Sequence, residues 1–404
     1  MRISQLARAI QPSATLKLNE EAQRLRASGA SVIHLGTGEP RIKTPIDAVL
    51  AASAKLTSAE VKYTGTTGTP ALKAAIARYM GEHYGVDTLP QEIVVSPGAK
   101  ASLYLALLAI TDPDDEIVIT APYWVSYPEM IKAVRGRPVV VESGEDFEPR
   151  LEDIERAITP RTRAIVVNSP NNPSGAVYSE GLIAGLVALC EARDLFLIVD
   201  DIYHRLVFAG RRAVSPFTFA KGDRAASRII LINGVSKLYG MTGFRIGWSV
   251  AAPEVAAAMG KLQGQSVSCP SALLQDAAVG ALSGEQAVLD GLMATLEHNR
   301  DVLCEGLKAI PGVRLRVPAG TFYSLADFSA IEPSSEKLSR LLLEKALVVT
   351  VPGREFGREG HLRISFCGSL DEICRGVERL RWALDPESPR EIWLGDTRAV
   401  RDWI

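Results

Sequence analysis

The sequence predicts an α/β fold: a mostly parallel seven-stranded sheet with helices on both faces, plus a smaller α+β domain. Three observations carry this expectation. From about Glu92 to Val250 short β-branched runs alternate with longer helical patterns, the signature of strands linked by crossover helices. Several of those runs are continuously apolar, as strands covered on both faces are. The polar or Gly-rich clusters Ser-Pro-Gly-Ala-Lys, Ala-Pro-Tyr-Trp, Asn-Ser-Pro-Asn-Asn-Pro-Ser-Gly, Asp-Asp-Ile-Tyr and Asn-Gly-Val-Ser-Lys each follow or end a predicted strand. They therefore gather on one edge of one sheet, where such folds bind ligands.

Taken in order, residues 1–45 read as an N-terminal segment joining the small domain, and 46–290 as the large domain. Its strands are expected at Ile93–Ser96, Glu116–Thr120, Pro138–Glu142, Ala164–Asn168, Leu195–Asp200, Arg228–Ile232 and Phe244–Val250. Helical patterns fall between most of them, for example Lys100–Ile110, Ser126–Val134 and Ser179–Arg193. Residues 291–385 form the small C-terminal domain, with short strands at Arg314–Val317, Thr321–Asp327, Ala346–Thr350 and His361–Phe366 and a helix at Leu370–Ala383. The tail, 386–404, carries Trp393, Leu394, Trp403 and Ile404, too much apolar surface to stay free, so it should dock on the body or on a partner subunit.

The bulk properties narrow the function classes. A chain that is 47% hydrophobic and 23% charged, with formal net charge −2, has an ordinary globular composition. It shows no basic stripe for nucleic acid, and its longest strongly apolar stretch, Leu103 to Ile110, is too short for a bilayer. Five scattered cysteines without CxxC spacing, and five histidines without HxH or HxxxH, argue for reduced thiols and against a metal centre. The first residues lack the apolar core of a signal peptide, so a cytoplasmic protein is expected.

The most specific segment runs from Gly234 through Lys237 to Arg245 and Gly247. A lysine just past a strand end, with a second cation eight residues on, has the makings of a low-pKa nucleophilic amine. Alone it would more often be a loop lysine. Asp200 ends the apolar run Leu-Phe-Leu-Ile-Val and needs a positive partner, which a protonated pyridine nitrogen would supply. Tyr203 follows it and suits a phenolic ring oxygen. By itself Asp200-Asp201 would more often be a helix cap or a Mg²⁺ ligand. Gly98-Ala99-Lys100 opens a helix whose free amides form an anion nest, although a plain strand-to-helix turn is the commoner use. Trp124 can lie against a planar ring, Asn172 sits at a strand end before Pro173, a candidate cis proline, and Arg363 can grip a carboxylate in bidentate fashion. An arginine in an apolar strand more commonly pairs with a structural carboxylate.

Together these residues resemble the fold-type-I, class I aminotransferases, and particularly the bacterial aspartate aminotransferase branch. The likeness runs from Pro12-Ser13-Ala14-Thr15 to the region of Arg363, and its specific motifs are Ser236-Lys237 to Arg245-Ile-Gly247, the Asn-Asn-Pro-x-Gly turn and Tyr-Trp-Val-Ser-Tyr-Pro. The resemblance implies pyridoxal 5′-phosphate bound as a Schiff base to Lys237 in the large domain. It implies Asp200 on the pyridine nitrogen, Tyr203 and Asn172 on the ring oxygen and Trp124 stacked on the ring. The phosphate would lie on the Gly98–Lys100 turn with Ser236, Arg245 and, from the neighbouring subunit of a homodimer with shared sites, Tyr63. Gly38 and Arg363 would hold the substrate α-carboxylate, with Trp124 and Asn172 beside it, while Lys100, Ser13 and Thr15 are associated with a distal carboxylate, favouring aspartate or glutamate. The implied reaction is ping-pong transfer of an amino group from an L-amino acid to a 2-oxo acid, with the freed Lys237 moving the proton.

Four departures from the family pattern stand out. Arg41 and Lys43 replace two acidic residues in Gly38-Glu-Pro-Arg41-Ile-Lys43-Thr-Pro, which reads equally as drift or as altered substrate charge preference. Gln11 stands where prephenate-active relatives carry lysine, and Asp201 replaces the usual glutamate, a change expected to be neutral. A lyase or oxidase, an aminotransferase for basic or aromatic amino acids, and a cofactor-sensing regulator are the competing readings. The regulator would need a DNA-binding module for which the chain leaves no room.

Overall fold

The computed structural model describes residues 3–12 and 14–403, the side chains of residues 14–17 excepted. Seven short apolar runs form one sheet with the spatial order Ile93–Ser96, Gly247–Val250, Ile229–Gly234, Phe196–Asp200, Thr162–Asn168, Glu116–Ala121 and Arg137–Glu142. All neighbours are parallel except Gly247–Val250, which runs against both strands beside it. Six of the seven strands are buried along all, or all but one, of their residues, the edge strand Arg137–Glu142 being the exception. That burial explains why their sequences are continuously apolar rather than alternating. Two apolar clusters flank the sheet, one around Leu103, Ile131 and Met259 and the other around Ile154, Leu186 and Val187.

The register decides where function can sit. Asn168 pairs with Asp200, Asp200 with Ile232, and Gly234 and Ser96 both with Gly247. Polar strand ends thus stand in one row across five strands. Gly247 is required there: a Cβ would lie 2.2 Å from the Ala99 nitrogen, so only glycine lets this strand meet the opening of the helix Ala99–Ile110.

The predicted strands fall close to the observed ones, with two differences. Phe244–Val250 begins only at Gly247, because Thr242–Phe244 is a 3₁₀ turn and Arg245 adopts a left-handed φ of 51° that breaks the extended run. Arg314–Val317 is no strand beyond one bridge from Arg314 to Asp327, and the proline at 318 follows directly. The second sheet is antiparallel, Val351–Pro352, His361–Ser365 and Tyr323–Asp327, with the helix Ser335–Ala346 packed against it and the helix Leu370–Leu384 packed against that helix. Near the N-terminus, Ile33–His34 pairs in parallel with Val348–Val349.

The tail folds back as a hairpin, Glu391–Leu394 with Thr397–Val400. It docks on the body. Arg401 is buried and donates to the carbonyls of Trp382, Asp385, Pro386 and Ser388, taking up the free acceptors at the end of Leu370–Leu384. Trp403 donates to the Ala383 carbonyl and packs edge-on against Trp382 at 5.2 Å. Among the described residues no helix is long and apolar enough to cross a membrane.

Candidate active site

The row of strand ends opens into a cavity of about 350 Å³, enough for a cofactor-sized ligand. Its walls include Gly38, Ala99, Lys100, Trp124, Asn172, Asp200, Tyr203, Ser236, Lys237, Arg245 and Arg363, residues that lie as far apart as 38 and 363 in the chain.

Lys237 follows the strand Ile229–Gly234 and donates from Nζ to the Gly38 carbonyl at 2.7 Å. Burial, offset in part by Cys367 and reinforced by the charge of Arg363, pulls its amine down to about 8 from an ordinary 10.5. Asp200 is buried at the end of its strand. Its Oδ2 accepts from the Tyr127 hydroxyl at 2.7 Å, while Oδ1 has no hydrogen-bond partner among the described residues. Burial pushes the carboxyl up to about 6, although the Tyr127 hydroxyl and the Ile202 amide hold it down. An orphaned carboxylate oxygen in a ligand-sized cavity suits a cationic N–H donor from a bound molecule.

At one wall the helix Ala99–Ile110 points its first amides, those of Ala99 and Lys100, at the cavity, and they have no partner within the helix. Gly98 precedes them at φ 90°, a conformation that favours glycine. Arg245 is directed to the same place by its left-handed turn; among the described residues its guanidinium donates only to the carbonyls of Thr242 and Pro97, which leaves its charge for an anion. Ser236 lines the same cavity. On the second wall Lys100 Nζ reaches the Ser126 hydroxyl at 3.2 Å and lies 4.6 Å above the Trp124 ring; burial and then Arg245 lower its pKa.

Arg363 comes from the second sheet. It is 3% exposed, donates to Asn172 Oδ1 and the Gly36 carbonyl, each at 3.0 Å, and lies between the rings of Tyr323 (4.3 Å) and Phe356 (5.0 Å). No carboxylate pairs with it among the described residues, so it is not the structural ion pair that such an arginine usually makes. Asn172 in turn is set by its amide, which donates to Asn168 Oδ1 at 2.7 Å, and the Asn172–Pro173 bond is cis, as its tight turn suggested.

Not every expected residue joins the cavity. Tyr63 is 91% exposed on the surface of the chain. Ser13 and the side chain of Thr15 lie outside the described residues. Arg41 donates to Glu372 Oε1 at 2.7 Å, which spends its charge away from the cavity, whereas Lys43 is exposed. Asp201, expected to be neutral in effect, is buried and paired with His204.

Three contributors were not foreseen. Tyr127 sits three residues after Trp124, on the face of the helix Ser126–Ala133 that turns inward. Asn168 braces both sides by donating to the Asp200 carbonyl and accepting from Asn172. Tyr323 brings its hydroxyl against Gly38, where a Cβ would lie 2.8 Å away. Tyr127 and Asn168 had a signal in the sequence, since the Tyr-Trp-Val-Ser-Tyr-Pro run and the Asn-Ser-Pro-Asn-Asn-Pro-Ser-Gly cluster contain them, whereas Tyr323 had none.

Comparison with known proteins follows the same line. Residues 30–380 match the family model "aminotransferase class I and II". The chain is similar to the aspartate/prephenate aminotransferase of Nitrosomonas europaea, 38% identical over 394 residues, with 94% of this chain and 99% of the relative covered. It is 35% identical over 395 residues to the aspartate aminotransferase of Bacillus subtilis, covering 96% of this chain and 100% of that one. Among solved structures, the aspartate aminotransferase from Thermus thermophilus with maleate superposes with a TM-score of 0.90 at 37% identity, covering 94% of this chain and 99% of that chain.

Proposed function

Because the chain belongs to the class I and II aminotransferase family and is an enzyme that moves amino groups between amino and 2-oxo acids, we propose that its substrates are the acidic amino acids aspartate and glutamate and their 2-oxo acids. The observation that carries this is a charge count. The cavity holds four cationic side chains, Lys100, Lys237, Arg245 and Arg363, against one carboxylate, Asp200.

Pyridoxal 5′-phosphate, the cofactor of this family, fits the residues present. Asp200 Oδ1 is a buried acceptor awaiting an N–H, and Gly98 with the free amides after it forms a nest for a phosphate. When bound, the cofactor supplies the electron sink that makes the amino acid's Cα–H acidic. In this reading Lys237 is the attachment point, Asp200 holds the ring nitrogen protonated, and Tyr203 and Asn172 hold the ring oxygen. Trp124 covers one face of the ring, and Gly98, Ala99, Lys100, Ser236 and Arg245 take the phosphate.

The cations then divide without remainder. Arg245 serves the phosphate and Arg363, helped by Gly38, grips the α-carboxylate in its planar fork. Lys237, once released, is the amine that takes the proton from Cα and returns it, and its lowered pKa suits that task. Lys100 is left beside Trp124 with a hydroxyl as its partner, placed for the second carboxylate of a dicarboxylic substrate. The names of similar proteins, aspartate and aspartate/prephenate aminotransferase, support the same substrate class.

A panel of amino acids, scored by loss of the cofactor's visible band and by the 2-oxo acid formed, tests this directly. Aspartate and glutamate should exceed lysine, arginine and phenylalanine by about 10²-fold or more in kcat/KM, the value of one charge-paired contact. A basic amino acid turning over fastest, or ammonia appearing without an acceptor, would defeat it.

We further propose a homodimer with shared sites. Ile46, Leu50, Leu56, Val61 and Tyr63 are exposed on one stretch of chain, an apolar surface that a second copy would cover. Sedimentation at twice the chain mass is the expected result, and a fully active monomer would contradict it.

A further inference from the structure

Two carboxylates stand next to each other at the end of the strand Phe196–Asp200, and only the first belongs to the cavity. Asp201 is 1% exposed, and its amide donates to the Ile232 carbonyl at 2.8 Å. A carboxylate so buried requires a counter-charge. His204 provides one: Nδ1 stands 2.8 Å from Asp201 Oδ2, with its ring 7% exposed. The other nitrogen, Nε2, lies 3.2 Å from the His83 carbonyl oxygen. A carbonyl oxygen and an ionised carboxylate both only accept. The Nδ1–Asp201 approach is an ion-pair contact and not an aligned hydrogen bond, since neither Nδ1 nor either Asp201 oxygen has a hydrogen-bond partner among the described residues. With the Nε2 proton on the His83 carbonyl, it is the positive charge of an imidazolium that compensates the buried carboxylate.

The surroundings agree. Tyr84 lies nearly flat on the ring, at 4.0 Å and 21°, and its hydroxyl accepts from Asn233 of the neighbouring strand. The helix Pro70–Tyr84 presents Tyr79, His83 and Tyr84 to this corner, and the turn itself presents Asp201 and Arg205. Asp201 is the single carboxylate among them. Burial lowers the imidazole's pKa, but Asp201 and the His83 carbonyl outweigh it, together with the opposing Arg205, and the net direction is up.

We propose that the Asp201–His204 ion pair is a positioning device of the active site, closing the turn that presents Tyr203 and Asp200 to the cofactor and neutralising the second carboxylate so that Asp200 alone serves the ring. The pair spans Ile202 and Tyr203, and the backbone seconds it, His204 donating to the Asp201 carbonyl at 3.0 Å. Without the imidazolium, Asp201 adds its charge to the forces that already raise Asp200. The proposal rests on the cofactor reading given above.

The test compares full-length wild type with His204→Gln, Asp201→Asn and the double variant. Each single change should weaken pyridoxal phosphate binding about tenfold and move the pKa of the cofactor's visible band by about 0.5 unit, with most of both effects recovered in the double variant. A fall in Tm with cofactor affinity and band pKa unchanged would reduce the pair to a structural role and overturn the proposal. ¹⁵N imidazole spectra of the wild-type apoenzyme add a reading independent of how the variants fold. His204 should be doubly protonated at neutral pH, and a neutral ring would equally overturn it. Wild type that takes up no equimolar cofactor refutes the cofactor reading instead, whereas normal uptake with indifferent variants refutes the ion pair alone.

Discussion

Replacing Lys237 by alanine is expected to lower kcat/KM for aspartate by about 10⁴-fold or more, the upper range for loss of a positioned acid–base group that is also the covalent anchor. The geometry leaves no substitute. Among the basic residues of the cavity, Arg245 and Arg363 cannot deprotonate, and Lys100 is turned to Ser126 and Trp124. Borohydride should fix the cofactor to the wild-type chain and not to Lys237→Ala. A variant that keeps more than a few per cent of activity, or a covalent adduct after borohydride, would overturn the assignment.

The same amine gives this prediction a pH signature. Only neutral Nζ attacks a carbonyl, and a pKa lowered from 10.5 to about 8 raises the neutral fraction at pH 7 roughly 300-fold. Uptake of pyridoxal phosphate by the apoenzyme should therefore quicken as pH rises and level off just above 8. The sign of the stability effect is opposite to that of a salt-bridged lysine. A folded pKa below the unfolded one means that burying Lys237 costs stability at pH values below the folded pKa, and that this cost disappears as pH rises past the unfolded value. A plateau delayed to pH 10 would show an ordinary surface amine.

Much of the fold was legible because burial on both faces leaves a one-dimensional trace. Ile93–Ser96 was found to the residue, and the helix Glu180–Arg193 within one. The site was legible for a related reason: in a parallel sheet the chemistry collects at strand ends, so Asp200, Lys237 and the turn at Gly98 were readable as positions before their contacts were known. What stayed hidden depends on directions that spacing does not encode. Arg245 interrupts Phe244–Val250 because its backbone is left-handed, while its neighbours have the composition of a strand. Tyr127 matters through the face its helix turns inward. The Asp201–His204 pair needs a turn whose path only the packed helix Pro70–Tyr84 fixes, and so a substitution that reads as neutral in sequence becomes a buried charge. The contact between Arg363 and Asn172 joins residues 191 positions apart across two sheets.

That contact sets up the second large effect. Changing Arg363 to lysine is expected to reduce kcat/KM for aspartate by about 10²- to 10³-fold, the loss of a buried charged bidentate contact. A lysine keeps the charge but cannot donate to Asn172 Oδ1 and the Gly36 carbonyl while offering a parallel pair of N–H groups to a carboxylate. It also forfeits the guanidinium's stacking between Tyr323 and Phe356. Two further readings separate a substrate-gripping arginine from a structural one. First, β-alanine, which lacks the α-carboxylate of aspartate, should lose far less activity in the variant than aspartate does. Second, maleate should raise the Tm of wild type and hardly that of Arg363→Lys, because a ligand stabilises a fold only as far as it binds it. Arg363 is buried with no carboxylate partner among the described residues, so its charge is already an uncompensated cost in the free enzyme, and the variant's own Tm should stay near wild type. A large fall in that Tm, with aspartate and β-alanine impaired alike, would mean that Arg363 holds the second sheet to the first and that the α-carboxylate is gripped elsewhere.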